Sequence, residues 1–304
     1  MEQLMRSLLL SMAQNRAANR WAKRYGLRLG AQKFVAGETI EDAVATVRAL
    51  NQQGIKVTLD HLGEFVNDEA EANESADYCI RTLEAIHEAG VDSSLSLKMT
   101  QMGLDISRDL CMKNMRRILD VAKQYDLLVT IDMEDYAHCQ ITLDILDELR
   151  QDYDNVGTVI QSYLYRSLED VLRLGGQGVH LRIVKGAYKE SPEVAFPDKA
   201  DVDANYLKLM EAQLLSPGFA AIATHDERII AQAKDFIQKH NIAKDKYEFQ
   251  MLYGIKTSLQ QQLVREGYPL RVYVPYGNDW YGYFMRRLAE RPANVAFVLK
   301  GMFK

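Results

Sequence analysis

Two stretches decide how this chain is read: Ser94-Leu95-Ser96-Leu97-Lys98 and Tyr247-Glu248-Phe249-Gln250-Met251-Leu252. In the first, Leu95 and Leu97 alternate with Ser94, Ser96 and Lys98; in the second, Tyr247 and Phe249 alternate with Glu248 and Gln250. Such alternation marks an extended strand with one apolar and one polar face. Working outward, Lys56, Thr58 and Asp60 alternate with Ile55, Val57 and Leu59, and Thr130 and Asp132 with Val129 and Ile131. The candidate strands are Ile55–Asp60, Ser94–Lys98, Leu128–Asp132, Val156–Gln161, Val179–Val184, Ala220–Thr224, Tyr247–Leu252 and Leu270–Pro275. Helical stretches such as Glu69–Ala89, Ser107–Tyr125 and Gln140–Gln151 separate them. Eight alternating βα units predict a closed parallel (βα)8 barrel of the TIM type. The outer face of such a barrel meets helices and must be apolar, so the polar parity is expected to point inward. An interior of that kind, instead of the usual branched apolar filling, predicts a lumen that bears a ligand.

The 304 residues accommodate one barrel of roughly 250 residues plus an extension. The expected organisation is a single domain, with an N-terminal helical segment over residues 1–50 and the barrel over residues 51–304. The first 30 residues are basic, with Arg6, Arg16, Arg20, Lys23, Arg24 and Arg28 against Glu2. Leu4, Leu8 and Met12 fall at helical spacing, expected to pack on the rest of the protein rather than on a membrane. A net charge of −5 argues against a nucleic-acid partner. Cys79, Cys111 and Cys139 lack metal-type spacing and read as free thiols of a reducing compartment. The six histidines show no ligand spacing, so no metal is expected. No apolar run reaches the roughly 18–20 residues of a membrane span, and no signal-peptide pattern opens the chain. A cytoplasmic protein is expected, with at most a peripheral contact at the inner face of the cell membrane.

Active sites of these barrels lie at the C-terminal strand ends. Those ends are Asp60, Lys98, Asp132, Gln161, Arg182 to Tyr188, Thr224-His225, Gln250 to Leu252 and Tyr273. A single strand-end Lys or Asp is commonly a structural ion-pair partner, but so many polar ends arranged alike predict a site. A second constellation lies on the last helix, expected from a cap at Asn278 or Asp279 to about Arg291. There Tyr283, Arg286, Arg287 and Glu290 share one face. Two adjacent guanidinium forks beside a tyrosine suit a carboxylate, which they bind bidentately while remaining charged.

The segments Leu97-Lys98-Met99, Ile131-Asp132-Met133-Glu134, Arg182-Ile183-Val184-Lys185-Gly186-Ala187-Tyr188, Ala223-Thr224-His225-Asp226, Phe249-Gln250-Met251-Leu252-Tyr253-Gly254, Arg271-Val272-Tyr273-Val274-Pro275 and Tyr283-Phe284-Met285-Arg286-Arg287-Leu288-Ala289-Glu290 resemble the proline dehydrogenase family. The resemblance is to the single-function bacterial form. It departs in a compact loop between Pro275 and Arg286, and at Met133 and Lys189. It implies a distorted barrel holding FAD, with the last helix over the barrel mouth, and oxidation of L-proline to Δ1-pyrroline-5-carboxylate with a quinone as electron acceptor. A separate pyrroline-5-carboxylate dehydrogenase is the implied metabolic partner. Arg286, Arg287 and Lys98 would clamp the proline carboxylate, while Tyr273, Tyr283 and Tyr188 would wall its ring. Asp132 would belong to the catalytic ion-pair network, with Arg182 near flavin N5. Met133, Gln161, Arg182, Val184, Lys185, Gly186, Ala187, Tyr188, Thr224, His225, Gln250 and Leu252 would hold the flavin.

Other readings of the same residues remain open here. Lys98 at a strand end suits a Schiff-base aldolase, a different flavin barrel would share the scaffold, and a non-catalytic carboxylate-binding protein would use the arginines. One further expectation is a gate: Glu64, just beyond the first strand, facing Arg291 at the end of the last helix.

Overall fold

The computed structural model describes residues 31–63 and 66–290; for Ala31 and residues 286–290 it describes the backbone alone. Eight strands alternate with helices as expected. They are β1 (Lys56–His61), β2 (Ser93–Lys98), β3 (Val129–Asp132), β4 (Val156–Gln161), β5 (Leu181–Val184), β6 (Ala220–Ala223), β7 (Tyr247–Leu252) and β8 (Leu270–Tyr276). All neighbours pair in parallel, and β8 closes on β1 to complete a barrel in sequential order. Helix α1 (Ile40–Asn51) precedes the barrel, and α2 (Glu69–Ala89), α3 (Arg108–Gln124), α4 (Tyr136–Leu149), α5 (Ser167–Gly176), α6 (Lys199–Leu215), α7 (Glu227–Lys239) and α8 (Thr257–Arg265) connect the strands. The last helix, α9 (Trp280–Glu290), follows β8 after a three-residue turn. The boundary expected after residue 50 falls in the last turn of α1, whereas residues 1–30 lie outside the described residues.

Where the boundaries differ from the alternation, local hydrogen bonds explain it. Val179 N–H donates to Leu174 O and so closes α5, which delays β5 to Leu181. Ile55 N–H donates to Leu50 O and belongs to the exit of α1. Helix α4 begins at Tyr136, four residues before the expected start, because Asp135 caps it by accepting from His138 N. β8 runs to Tyr276 because Pro275 and Tyr276 sit opposite Asp60 and His61 of β1.

The apolar parity packs outward. Val57, Leu59, Leu95, Leu97, Val129 and Ile131 are fully buried under the helices; each such burial contributes about 1.5–3 kcal/mol. The polar parity lines the lumen, where Arg182 of β5 reaches across to Ser96 of β2 at 3.0 Å. Two expectations about that lumen need correction. Lys56 shares the polar parity but sits at the open bottom of the barrel, with half its side chain exposed, 3.9 Å from Asp92. The lower lumen is filled by its own polar contacts, such as Thr58 Oγ1 to Ser94 Oγ at 2.7 Å, and space for a ligand opens only above it.

The chain before α1 fixes where α9 starts. Ala36 N–H donates to Pro275 O and Gly277 N–H to Gly37 O. Phe34 packs near Phe284, and the fully buried Trp280 donates from Nε1 to Glu38 at 3.3 Å. α9 is thereby anchored beside the C-terminal ends of the strands.

Candidate active site

A cavity of about 830 Å3 opens at the C-terminal ends of the strands, within the roughly 300–1,000 Å3 usual for ligand pockets. Strands β1, β2 and β3 bring Asp60, Lys98 and Asp132 to it, β4 Gln161, β5 Arg182 and Val184, β7 Gln250 and Leu252, and β8 Tyr273. Met133, Lys185, Gly186, Ala187, Tyr188, Thr224 and His225 join them from the loops that follow, and Tyr283 from α9. Every expected site residue whose side chain is described therefore lines this one cavity. The Arg286 and Arg287 side chains, and both gate residues Glu64 and Arg291, lie outside the described residues.

Asp132 is the hub. Its Oδ1 accepts from Arg182 Nη1 at 2.6 Å and Ser96 Oγ at 2.8 Å, and its Oδ2 accepts from Tyr273 Oη at 2.7 Å. Lys98 Nζ lies between two carboxylates, 3.5 Å from Asp132 and 3.4 Å from Asp60. The register of β2 on β3 puts Lys98 directly opposite Asp132, so strand pairing creates the ion pair. Burial alone would raise the Asp132 carboxyl, but the Lys98 and Arg182 cations outweigh it and hold it below the usual range. Burial wins at Asp60, whose carboxyl is pushed up despite Lys98. Burial, reinforced by the Asp132 charge, holds the Tyr273 phenol protonated as a donor.

Arg182 is 5 % exposed. Its Nε donates to Gln250 Oε1 at 2.6 Å and its Nη1 to Asp132 and Ser96, while Nη2 makes no hydrogen bond among the described residues. Its guanidinium carbon lies 5.3 Å from the Tyr273 ring centroid. Gln161 donates from Nε2 to Glu134 O at 3.0 Å, but its buried Oε1 has no partner among the described residues. An unpaired buried acceptor costs about 1–3 kcal/mol, which a ligand N–H would offset. His225 Nε2 accepts from Leu252 N–H at 3.0 Å. An accepting Nε2 fixes the neutral tautomer with its proton on Nδ1.

Gly186 allows the loop after β5 to pass the cavity wall. It sits at φ +112°, and a Cβ there would lie 2.3 Å from the Tyr163 ring. The loop is strapped to the one after β4 by an isolated bridge, Leu164 to Ala195, and by Phe196 N–H donating to Tyr163 O at 2.8 Å. Tyr188 lines the cavity from this loop but is 42 % exposed, so it borders the mouth rather than the interior.

Sequence reading assigns a site role to one rim residue, Lys185, and includes Asp226 only as part of a family-like segment. Lys199, Asp226, Arg228 and Lys256 also line the cavity. Lys185 Nζ bridges Asp203 at 2.5 Å and Asp226 at 3.1 Å. Lys199, Asp226 and Arg228 sit at or beside helix starts rather than on strand ends, so no alternation flags them; the only hint was their position after β5 and β6. Burial raises the Asp226 carboxyl, but Lys185 prevails and holds it near 2.

A (βα)8 barrel with charged side chains converging from nearly every strand on a catalytic-face cavity defines a barrel enzyme for a small charged substrate, with room for a cofactor. Comparison with known proteins sharpens that class. Residues 43–300 match the family model described as Proline dehydrogenase. Proline dehydrogenase 1 of Bacillus subtilis is 54% identical over 276 residues, 91% of each chain. The proline dehydrogenase of Deinococcus radiodurans is 48% identical over 279 residues, 90% of each. The solved structure of proline utilization A from Bdellovibrio bacteriovorus, inactivated by N-propargylglycine, superposes with a TM-score of 0.80 at 28% identity. It is matched over 86% of this chain and 32% of its own, so this chain spans about a third of that protein. The chain belongs to the proline dehydrogenase family.

Proposed function

We propose that this cavity oxidises L-proline to Δ1-pyrroline-5-carboxylate, the first step of proline catabolism, with FAD as the hydride acceptor. The observation that carries the reading is the convergence of the expected site residues on one cavity whose deep wall holds an open donor, Arg182 Nη2, and an open acceptor, Gln161 Oε1. An isoalloxazine edge, with ring N–H and C=O groups, complements both. Lys185, Lys199, Arg228 and Lys256 at the rim suit the phosphates of a dinucleotide. When bound, the flavin supplies a two-electron acceptor.

The chain's own groups supply position and charge. Proline enters as a carboxylate with a ring amine, which must be neutral for its lone pair to help the C5 hydride depart. Lys98, steadied between Asp60 and Asp132, offers a cation for the carboxylate; Arg286 and Arg287 are assigned to complete that clamp. Tyr273 and Tyr283 wall the ring, and Tyr188 borders the entrance. Arg182 stabilises charge gained on reduction. Holding both partners in register is worth more here than acid–base chemistry. Electrons then pass to a quinone, and the product to a separate pyrroline-5-carboxylate dehydrogenase. No helix among the described residues is long and apolar enough to cross a membrane.

Purified protein is expected to be yellow, to bleach on anaerobic addition of L-proline, and to reduce a dye acceptor but not NAD. Protein that stays colourless after incubation with FAD would remove the flavin from this reading; bleaching by many unrelated amino acids would remove proline.

Arg286→Ala and Arg287→Ala are each expected to raise KM for proline about ten- to hundredfold, since each removes a charge-assisted bond of about 1.5–3 kcal/mol. Lysine at either position should rescue poorly because the bidentate fork is lost. Steady-state kinetics with a wild-type KM in both alanine variants would overturn the clamp.

A further inference from the structure

Beneath the residues that line the cavity lies a second charged layer that the reaction as described leaves unused. Arg271 of β8 donates from Nε to Glu248 of β7 at 2.6 Å. Its Nη1 donates to Val57 O at 2.6 Å and Ser94 Oγ at 3.2 Å, which ties the pair to β1 and β2. Burial would raise the Glu248 carboxyl, but Arg271 outweighs it and keeps the group ionised, below the usual range. The same Glu248 oxygen accepts from Gln250 Nε2 at 2.7 Å. At the other end of that amide, Gln250 Oε1 accepts from Arg182 Nε at 2.6 Å. A continuous chain of bonds thus runs from Arg271 in the lower lumen through Glu248 and Gln250 to Arg182 in the cavity wall.

Only one orientation of the Gln250 amide satisfies this chain. A carboxylate only accepts and a guanidinium only donates. Turned over, the amide would set N–H against N–H at Arg182 and oxygen against oxygen at Glu248. Glu248 and Arg182 together therefore hold Gln250 facing this way, and the amide, anchored on Glu248, fixes where Arg182 Nε points. The guanidinium is planar, so fixing Nε on Gln250 and Nη1 on Asp132 and Ser96 fixes the direction of Nη2 as well.

We propose that Glu248 and Arg271 are positioning residues for the reaction: through the Gln250 amide they lock the Arg182 fork so that Nη2 is presented to the flavin. The proposal rests on the reading of Arg182 as the flavin's neighbour. A buried ion pair that merely filled the lumen would be replaceable by uncharged residues of similar volume. A pair that anchors an amide is not, because the replacement loosens the amide's hold on Glu248 and lets the fork pivot about Nη1.

The test is the midpoint potential of the FAD-loaded Glu248→Gln/Arg271→Gln double variant. Net charge is unchanged, and loss of the nearer negative charge by itself would raise the potential. Locking predicts the opposite: a fall equivalent to at least a tenfold loss of preference for reduced flavin, about 30 mV for a two-electron couple. Gln250→Met keeps the ion pair but removes the amide. It should lower the potential by a similar amount, and the triple variant no further than either. An unchanged or raised potential in the folded double variant overturns the proposal, as do additive effects. Should the double variant not fold, Gln250→Met alone decides, an unchanged potential overturning the locking. A readout independent of the flavin potential is exchange of the Arg182 Nε proton, followed by NMR in arginine-labelled protein. It should be slow in the wild type and fast in the variants, and retained protection in the variants would refute the lock. Arg182→Met separates the two readings. Insensitivity of the potential to Arg182→Met would sink the placement of Arg182, leaving proton exchange to decide the locking. Sensitivity to Arg182→Met but not to the double variant would sink the locking alone.

Discussion

Asp132→Asn is expected to lower kcat/KM for proline about 10²- to 10³-fold and to reduce the melting temperature in the same variant. The carboxylate accepts from Arg182 and Ser96 on one oxygen and from Tyr273 on the other, with Lys98 beside it. An amide has one acceptor and one donor end, so either orientation sets an N–H2 against existing donors. Loss of the charge also strips compensation from two partly buried cations, and breaking such a pair costs about 3–5 kcal/mol. Displaced by even an ångström, the Arg182 and Lys98 heads no longer match the reacting geometry, and misplacement of that size costs on the order of a hundredfold. Steady-state kinetics and calorimetry on one preparation check both. Near-wild-type kinetics in a destabilised protein would make Asp132 a structural residue only.

The second large effect is electrochemical. Arg182→Met preserves length and apolar volume while removing the cation from the cavity wall. Donors aimed at developing negative charge are worth about 2.7–4 kcal/mol. For a two-electron couple that converts to a fall of about 60–85 mV in the flavin midpoint potential. The sign follows from the charge: a lost cation disfavours the reduced, more negative flavin. The variant also leaves Asp132 with Lys98 as its remaining cationic partner, so the Asp132 carboxyl should titrate higher than in the wild type. Spectroelectrochemical titration of flavin-replete protein measures the shift, and a potential equal to that of the wild type would place Arg182 away from the flavin.

Much of this architecture is legible in particular residues. The Ser-Leu-Ser-Leu-Lys alternation ending at Lys98, and its counterparts ending at Asp60 and Asp132, predict both the strands and the polar groups at their catalytic ends, because a half-buried strand has only two faces. The apolar parity, Leu59, Leu95, Leu97 and Ile131, is fully buried, as a helix-covered barrel requires. Residue type alone also marks Arg182 and Asp132 as charges that an apolar barrel would not tolerate unpaired.

Partner choice is another matter. Arg182 meets Ser96, Asp132 and Gln250, which lie 86, 50 and 68 residues away in the chain, and Arg271 meets Val57 O 214 residues away. Those pairings exist only because β8 closes on β1 and the strands hold one register. Closure also decides that Lys56, of the same parity as Asp60, is left at the open bottom, while Asp60 is sealed in beside Lys98. The rim cations Lys199 and Arg228 come into the cavity from the helix-start segments after β5 and β6, whose positions follow from packing outside the barrel. From its own pattern, the sequence determined the strands, their faces and the kind of charge at each strand end, since these depend on local periodicity. Only the tertiary structure decided which charges neutralise one another, which way the Gln250 amide faces and where the cavity opens, because hydrogen bonds and ion pairs act over a few ångströms in space whatever their separation along the chain.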